Sequence, residues 1–213
     1  IVGGCSAFGV ISGIIASAPS IEDIDATPTG YLTTVLDNQG NQTATLVASG
    51  SNRKYVTINE IPINLQHAFV AIEDERFYDH NGIDLQGILR AGLKGVASGF
   101  HFSEGASTIT QQLLKNTVFT QWTSEQSMAD KFERKFQEQY LALQLEKVVD
   151  KDWILENYLN AINLGQNTLG VGVASERYFG KDVSDLTLSE CAVLAAITQS
   201  PSYYNPITHP DHN

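Results

Sequence analysis

Residues 131–147 read "KFERKFQEQYLALQLEK". Phe132, Phe136, Tyr140, Leu143 and Leu145 recur at helical spacing, which predicts a helix from about Ala129 to Val149 with these residues as its apolar side. Arg134 and Glu138 stand four apart, on one face of that helix, at the spacing of an intrahelical ion pair. Lys131, Arg134 and Lys135 make this the most basic short stretch of an acidic chain. Taken alone, the segment is best read as an ordinary intrahelical salt bridge on a solvated face.

Helical patterns continue on both sides. Downstream, Asp150 can cap a helix containing "WILENYLN", and Thr187 with Glu190 has capping-box spacing ahead of "CAVLAAI", with Pro201 beyond its end. Upstream, Asp84 suits the N-cap of a helix carrying Leu85, Ile88, Leu89, Gly92, Leu93 and Val96 on one face. Between these, "SGFHFSEG" (98–105) reads as a loop holding Phe100 and Phe102. Near the start, "YLTTVLD" and "QTATLVA" flank "NQGN", alternating β-formers around an Asn/Gly turn, and predict a hairpin. The fold class is therefore mainly α with a small N-terminal β-hairpin, and no internal repeat is present.

Two further segments carry candidate chemistry. In "EGASTITQQLLKN" (104–116), Ser107 or Thr108 can cap a helix start, and Thr108 with Gln111 fits a capping box. Free N–H groups at that start, two hydroxyls, and Gln111, Gln112 and Lys115 within two turns suit a phosphate or pyrophosphate; a well-capped amphipathic helix fits equally. In "AIEDERFYDH" (71–80), Leu65, Ala68, Phe69 and Ile72 form an apolar stripe that ends in Glu73. The carbonyl end of a helix ending near residue 75 disfavours negative charge at Glu73, with Arg76 and His80 near enough to oppose that effect. From this segment alone, a charged, solvated helix end is the favoured reading. "SNRK" (51–54) matches Ser-x-x-Lys but has no downstream Lys-Thr-Gly and no case as a nucleophile.

Composition narrows the class. At 213 residues, 42% hydrophobic and 17% charged, the chain has ample length for a packed core. Its net charge of −11 argues against nucleic-acid binding, although local basic clusters still admit an anionic substrate. Cys5 and Cys191 lie in apolar surroundings, as buried thiols do, and no Cys/His spacing suggests zinc. Residues 1–21 are uncharged and read as the later part of a membrane-spanning helix, as a signal segment ending at "ASA" (16–18), or as a buried segment.

Taken together, the segments resemble the peptidoglycan glycosyltransferase domain (glycosyltransferase family 51) of class A penicillin-binding proteins and the related monofunctional transglycosylases. "EDERFYDHNGID" is similar to the family's Glu-Asp-x-x-Phe-x-x-His-x-Gly block and "GASTITQQLLKN" to its Gly-x-Ser-Thr-Ile-x-Gln-Gln block. "RKFQEQYLALQLE" resembles Arg-Lys-x-x-Glu, "KDWILENYLN" resembles Ile-Leu-Glu-x-Tyr-Leu-Asn, and the stretch from Arg177 to Pro206 follows the closing segment. The order is also the family's.

The resemblance implies a lysozyme-like glycosyltransferase fold on the outer face of the cell membrane, held by a single-pass anchor. It implies that lipid II is polymerised into β-1,4-linked glycan with inversion at C1 and release of undecaprenyl pyrophosphate. Glu73 would be the general base on the acceptor 4-hydroxyl, and Glu138 the second catalytic glutamate, near the leaving pyrophosphate. Lys115, Arg134 and Lys135 would counter that charge, Ser107, Gln111 and Gln112 would add hydrogen bonds, and Arg76 would contact substrate. The two glutamates are expected across a groove from one another. A divalent cation (Mg or Mn) at the pyrophosphate is implied for some members, with no dedicated metal site in this sequence. The aromatics Phe100, Phe102, Phe119 and Trp122 surround the second motif, which in the family borders the membrane-facing groove. Contact with lipid or the polyprenyl chain is expected of the loop aromatics, and core packing is the alternative for Phe119. The expected organisation is a partial transmembrane anchor (1–21), a spacer and hairpin (22–60), the glycosyltransferase domain (61–207) and the start of a linker (208–213) to a C-terminal transpeptidase domain. A lytic transglycosylase or muramidase on the same kind of fold, or a non-catalytic cell-wall binding module, is the competing reading.

Overall fold

Turn chemistry and capping fix most element ends. The computed structural model describes residues 2–48, 50, 52–97 and 105–212. In chain order the helices are α1 (Val2–Ala16), α2 (Ile63–Glu73), α3 (Leu85–Ala97), α4 (Ile109–Thr117), α5 (Met128–Leu145), α6 (Lys151–Ala161), α7 (Val171–Phe179) and α8 (Leu188–Ile197). The strands are β1 (Thr33–Leu36) and β2 (Gln42–Leu46). The chain forms two compact units, residues 1–26 with 76–151 and residues 27–75 with 152–213.

In the second unit the hairpin stands as expected. β1 and β2 pair antiparallel with Val35 opposite Ala44, and Asp37 Oδ1 accepts from the backbone N–H groups of Gln39 and Asn41, each at 2.8 Å. Both strands are exposed along their length. The core gathers where α2 packs on α8, with Leu65, Phe69, Tyr158, Leu194 and Ile197 buried. The capping box at Thr187 and Glu190 is complete in both directions and starts α8. Polar groups of "ILENYLN" tie α6 to the extended segment before α2. The Asn160 side chain accepts from Val56 N at 2.9 Å and donates to Val56 O at 2.8 Å, while Glu156 accepts from the Ile58 N–H at 2.5 Å. Cys191 is a buried free thiol, pushed above its ordinary value by burial. The expectation for the Cys5 side chain falls outside the described side chains, and that for Ser51 outside the described residues.

In the first unit α5 is central, with α1 and α4 packed on it. Against the expected 129–149 it starts one residue earlier, where Ser127 caps it by accepting from Ala129 N at 3.0 Å, and ends four residues earlier, at Leu145. Its buried side also differs from the expected one. Gln137, Glu138, Leu141, Ala142 and Leu145 are buried, whereas Phe132 is 60% and Leu143 40% exposed. The side on which α1 and α4 arrive decides burial here, and it is not the side with the most apolar residues.

α1 covers most of the segment expected as a partial transmembrane anchor. At 15 residues it is about 22 Å long by helical rise, against about 30 Å of bilayer hydrocarbon. Among the described residues no helix is long and apolar enough to cross a membrane. Just past the C-terminal end of α1, Ser17 Oγ accepts from Gln137 Nε2 at 3.0 Å and donates to Glu133 Oε1 at 3.3 Å, which ties it to α5. α3 starts as expected, with Asp84 Oδ1 accepting from Gly87 N at 2.9 Å. Its apolar face is open, with Leu85, Leu89, Leu93 and Val96 all exposed.

Candidate functional site

The buried face of α5 carries the densest charge cluster in the first unit. Glu138 has no exposed surface. One of its oxygens accepts from Arg134 Nη1 and the other from Lys135 Nζ at 2.7 Å. The expected ion pair is thus real and buried, with one anion serving two cations. Lys135 Nζ also donates to Ser107 Oγ at 3.1 Å, bringing the segment before α4 to the cluster. Arg134 Nε meets Glu125 Oε1 at 2.7 Å. Burial opposes the charge on Arg134, but Glu125 and Glu138 outweigh it and hold the guanidinium above its ordinary value. Glu138 is therefore a fixed counter-ion that aims two cations, and a phosphate arriving beside it meets donors already oriented.

The neighbouring sequence-predicted residues take different places. Thr108 caps α4, its hydroxyl oxygen accepting from Gln111 N at 3.2 Å. Gln111 is buried, and its amide donates to the Gly82 carbonyl at 3.2 Å, beside the Thr108 hydroxyl at 2.8 Å. Gln111 therefore holds the loop after Arg76 onto α4, while Gln112 is half-buried. Lys115 Nζ lies 4.7 Å from the Trp122 ring centroid, a cation–π contact. Arg76 binds Asp84, with Nη2 to Oδ2 at 2.5 Å and Nε to both oxygens at 3.2 Å. That pairing holds the Asp84 carboxyl at about 2. The pair lines a pocket of about 430 Å³ together with Asp79, His80, Leu85 and Leu143. Phe100 and Phe102 fall outside the described residues; Trp122 is partly exposed and Phe119 half-buried.

Glu73 belongs to the second unit, as the last residue of α2. It is half-buried, and Oε1 accepts from the Thr198 hydroxyl and from Gln199 Nε2 at 3.2 Å, both just past α8. Asp74 beside it is buried. Tyr158 lies within the same unit, its ring 6.2 Å from that of Phe69 one turn before Glu73. Burial, reinforced by the carboxylates of Glu73 and Asp74, pushes the Tyr158 hydroxyl well above its ordinary value.

These arrangements can be set beside known proteins. The family described as Transglycosylase matches residues 39–213. The chain belongs to this family. It is 46% identical over 199 residues to penicillin-binding protein 1A of Clostridium perfringens (strain 13 / Type A), covering 92% of this chain and 28% of the relative. Penicillin-binding protein 1F of Bacillus subtilis (strain 168) is 46% identical over 180 residues, 84% of this chain and 24% of the relative. Penicillin-binding protein 1A of Clostridium novyi (strain NT) is 43% identical over 204 residues, 94% and 23%. The chain thus spans about a quarter of the length of the curated relatives it matches.

Several partners of the candidate residues escape a reading of the sequence. Glu125 reaches Arg134 across nine positions and a helix start, and Thr198 and Gln199 reach Glu73 from the far end of the chain. Glu146 accepts from Thr110 Oγ1 at 2.5 Å and from Lys151 Nζ at 2.6 Å, and Lys151 also donates to His80 O at 2.8 Å. This network clamps α4, the end of α5 and the loop before Gly82 together. Nothing local in the sequence marks it. Both Glu138 oxygens accept from cationic side chains, and among the described residues no group of three or more His, Cys, Asp and Glu is arranged to hold a metal ion.

Proposed function

We propose that this transglycosylase-family chain is the peptidoglycan glycosyltransferase part of a longer protein and polymerises lipid II into β-1,4-linked glycan. The observation that carries this reading is the buried Glu138 with Arg134, Lys135 and Ser107 arrayed around it. A hydrolase acting on finished glycan needs an acid for its sugar leaving group. A pyrophosphate already leaves readily, so what it needs is charge neutralisation, and two pre-aimed cations supply it. In the proposed transfer Glu73 accepts the proton of the acceptor 4-hydroxyl as that oxygen attacks C1. The C1–O bond to pyrophosphate breaks with its electron pair staying on the departing pyrophosphate oxygen, whose charge Arg134, Lys135 and Lys115 counter, and C1 inverts.

The hydrogen bonds from Thr198 and Gln199 support this role for Glu73, because both donate to Oε1 and thereby fix the carboxylate. In this reading Glu73 serves the acceptor and Glu138 the leaving group. The chain spans about a quarter of the length of its penicillin-binding relatives, which supports a further domain in the whole protein. The family resemblance supports reading that domain as a transpeptidase and the whole as attached to the outer face of the cell membrane. The open apolar face of α3 supports contact between this domain and lipid.

The test is incubation of labelled lipid II with the wild-type chain and with Glu73→Gln. Long glycan from the wild type and none from the variant is the expected result. Equal polymerisation by both removes Glu73 as base. Short glycans released from preformed peptidoglycan replace synthesis with hydrolysis.

A further inference from the structure

Arg134 is anchored at two points. Glu138 takes Nη1 from within the same helix, and Glu125 takes Nε from outside it. Among the described residues no acceptor meets Nη2. A guanidinium is a rigid planar fork, so one carboxylate leaves it free to swivel while two on different edges fix its plane. We propose that Glu125 is a positioning residue for the leaving-group site, setting the Arg134 fork so that Nη2 is presented to the pyrophosphate. This inference rests on reading that site as a pyrophosphate site.

The local backbone explains how Glu125 gets there. The turn Thr120–Ser124 ends at Glu125 in an extended conformation (φ −65°, ψ 120°), and Ser127 then caps α5. Glu125 therefore lies just ahead of a helix N-terminus, where a carboxylate is favoured. Its side chain is 16% exposed and that of Arg134 11%, so water screens the contact little.

A second observation argues against a purely structural tie. Glu125 Oε2 is buried and has no hydrogen-bond partner among the described residues. A carboxylate oxygen buried without a donor costs stability, and a tie selected for strength alone would satisfy both oxygens. The charge balance points the same way. Arg134 and Lys135 face Glu125 and Glu138, so Glu125 cancels a cation that would otherwise draw an anion more strongly. Its presence weakens ground-state attraction and sharpens aim, the trade expected where orientation in the transition state matters more than grip on the substrate.

The experiment is steady-state polymerisation of lipid II by the full chain with Glu125→Ala and Glu125→Gln, alongside thermal melting of each. Glu125→Ala should lower kcat about tenfold or more, by the cost of a misplaced group, with KM unchanged or lower. Glu125→Gln keeps an oxygen for Nε and should stay within about threefold of wild-type kcat. Should Glu125→Ala not fold, Glu125→Asp replaces it. The shorter carboxylate keeps the charge but loses reach, so kcat should fall without any drop in KM. Wild-type kcat in the Ala or Asp variant overturns the proposal. So does an equal kcat loss in Ala and Gln variants that tracks their loss of folded protein. A wild-type chain that does not polymerise lipid II overturns the reading of the site itself and this inference with it.

Discussion

Glu138→Gln is the sharpest perturbation of the charge cluster. The carboxylate is wholly buried, with one oxygen on Arg134 and the other on Lys135. Breaking a buried ion pair by removing one partner costs about 3–5 kcal/mol when the other is left stranded. Here the stranding is partial. The Lys135 side chain is 40% exposed and can regain hydration, and Arg134 keeps Glu125. The expected cost is therefore nearer about 2–3 kcal/mol. For a chain of this size that lowers the melting midpoint by about 4–12 °C. Polymerisation should fall further than the folded fraction does, by about 10²-fold, because both cations lose their common anchor. Differential scanning calorimetry beside a lipid II assay separates the two effects. A midpoint within about 1 °C of wild type, which is below the effect of a typical destabilising substitution, together with full activity would refute the account of Glu138 as the counter-ion that organises the site.

Gly82→Ala should cost about 2–4 kcal/mol in urea titrations, from left-handed strain plus overpacking. Residue 82 has φ +88°, and an added Cβ would lie 2.6 Å from the Ala142 carbonyl carbon and oxygen. The carbonyl that serves Thr108 and Gln111 would shift with it, and an unchanged urea midpoint contradicts this close approach. Asp84→Asn tests the pairing with Arg76. The folded value of about 2 lies below the ordinary 3.8, so the pairing contributes stability above about pH 4 that is lost as pH falls toward 2. The variant should be less stable at neutral pH and show a flatter acid limb between those values in urea midpoints against pH. An acid limb identical to wild type removes the assignment.

What the sequence made legible was local chemistry. The Thr187–Glu190 box, the Asp84 cap and the Asn/Gly hairpin each depend on residues within a few positions, and each formed as read. The Arg134–Glu138 pair was legible from spacing, but its burial was not, because burial depends on α1 and α4 arriving on that side of α5. Phe132 faces outward for the same reason. Gln111 was legible as a polar residue at a helix start, but its partner, the Gly82 carbonyl 29 residues away, was not. Glu125, Glu146 and Thr198 were invisible for want of any periodic signal. Their partners are set by tertiary structure alone.

The even pairing of charges around Arg134 and Lys135 has a kinetic consequence. In a chain of net charge −11, two cations already matched by Glu125 and Glu138 cast almost no field beyond their own shell. Such a site does not pull phosphates out of bulk solution, as an electropositive cleft does. It responds only to an anion delivered to contact, so encounter should depend weakly on ionic strength. Free inorganic phosphate, abundant but undirected, should thereby compete poorly with the lipid-tethered substrate proposed above.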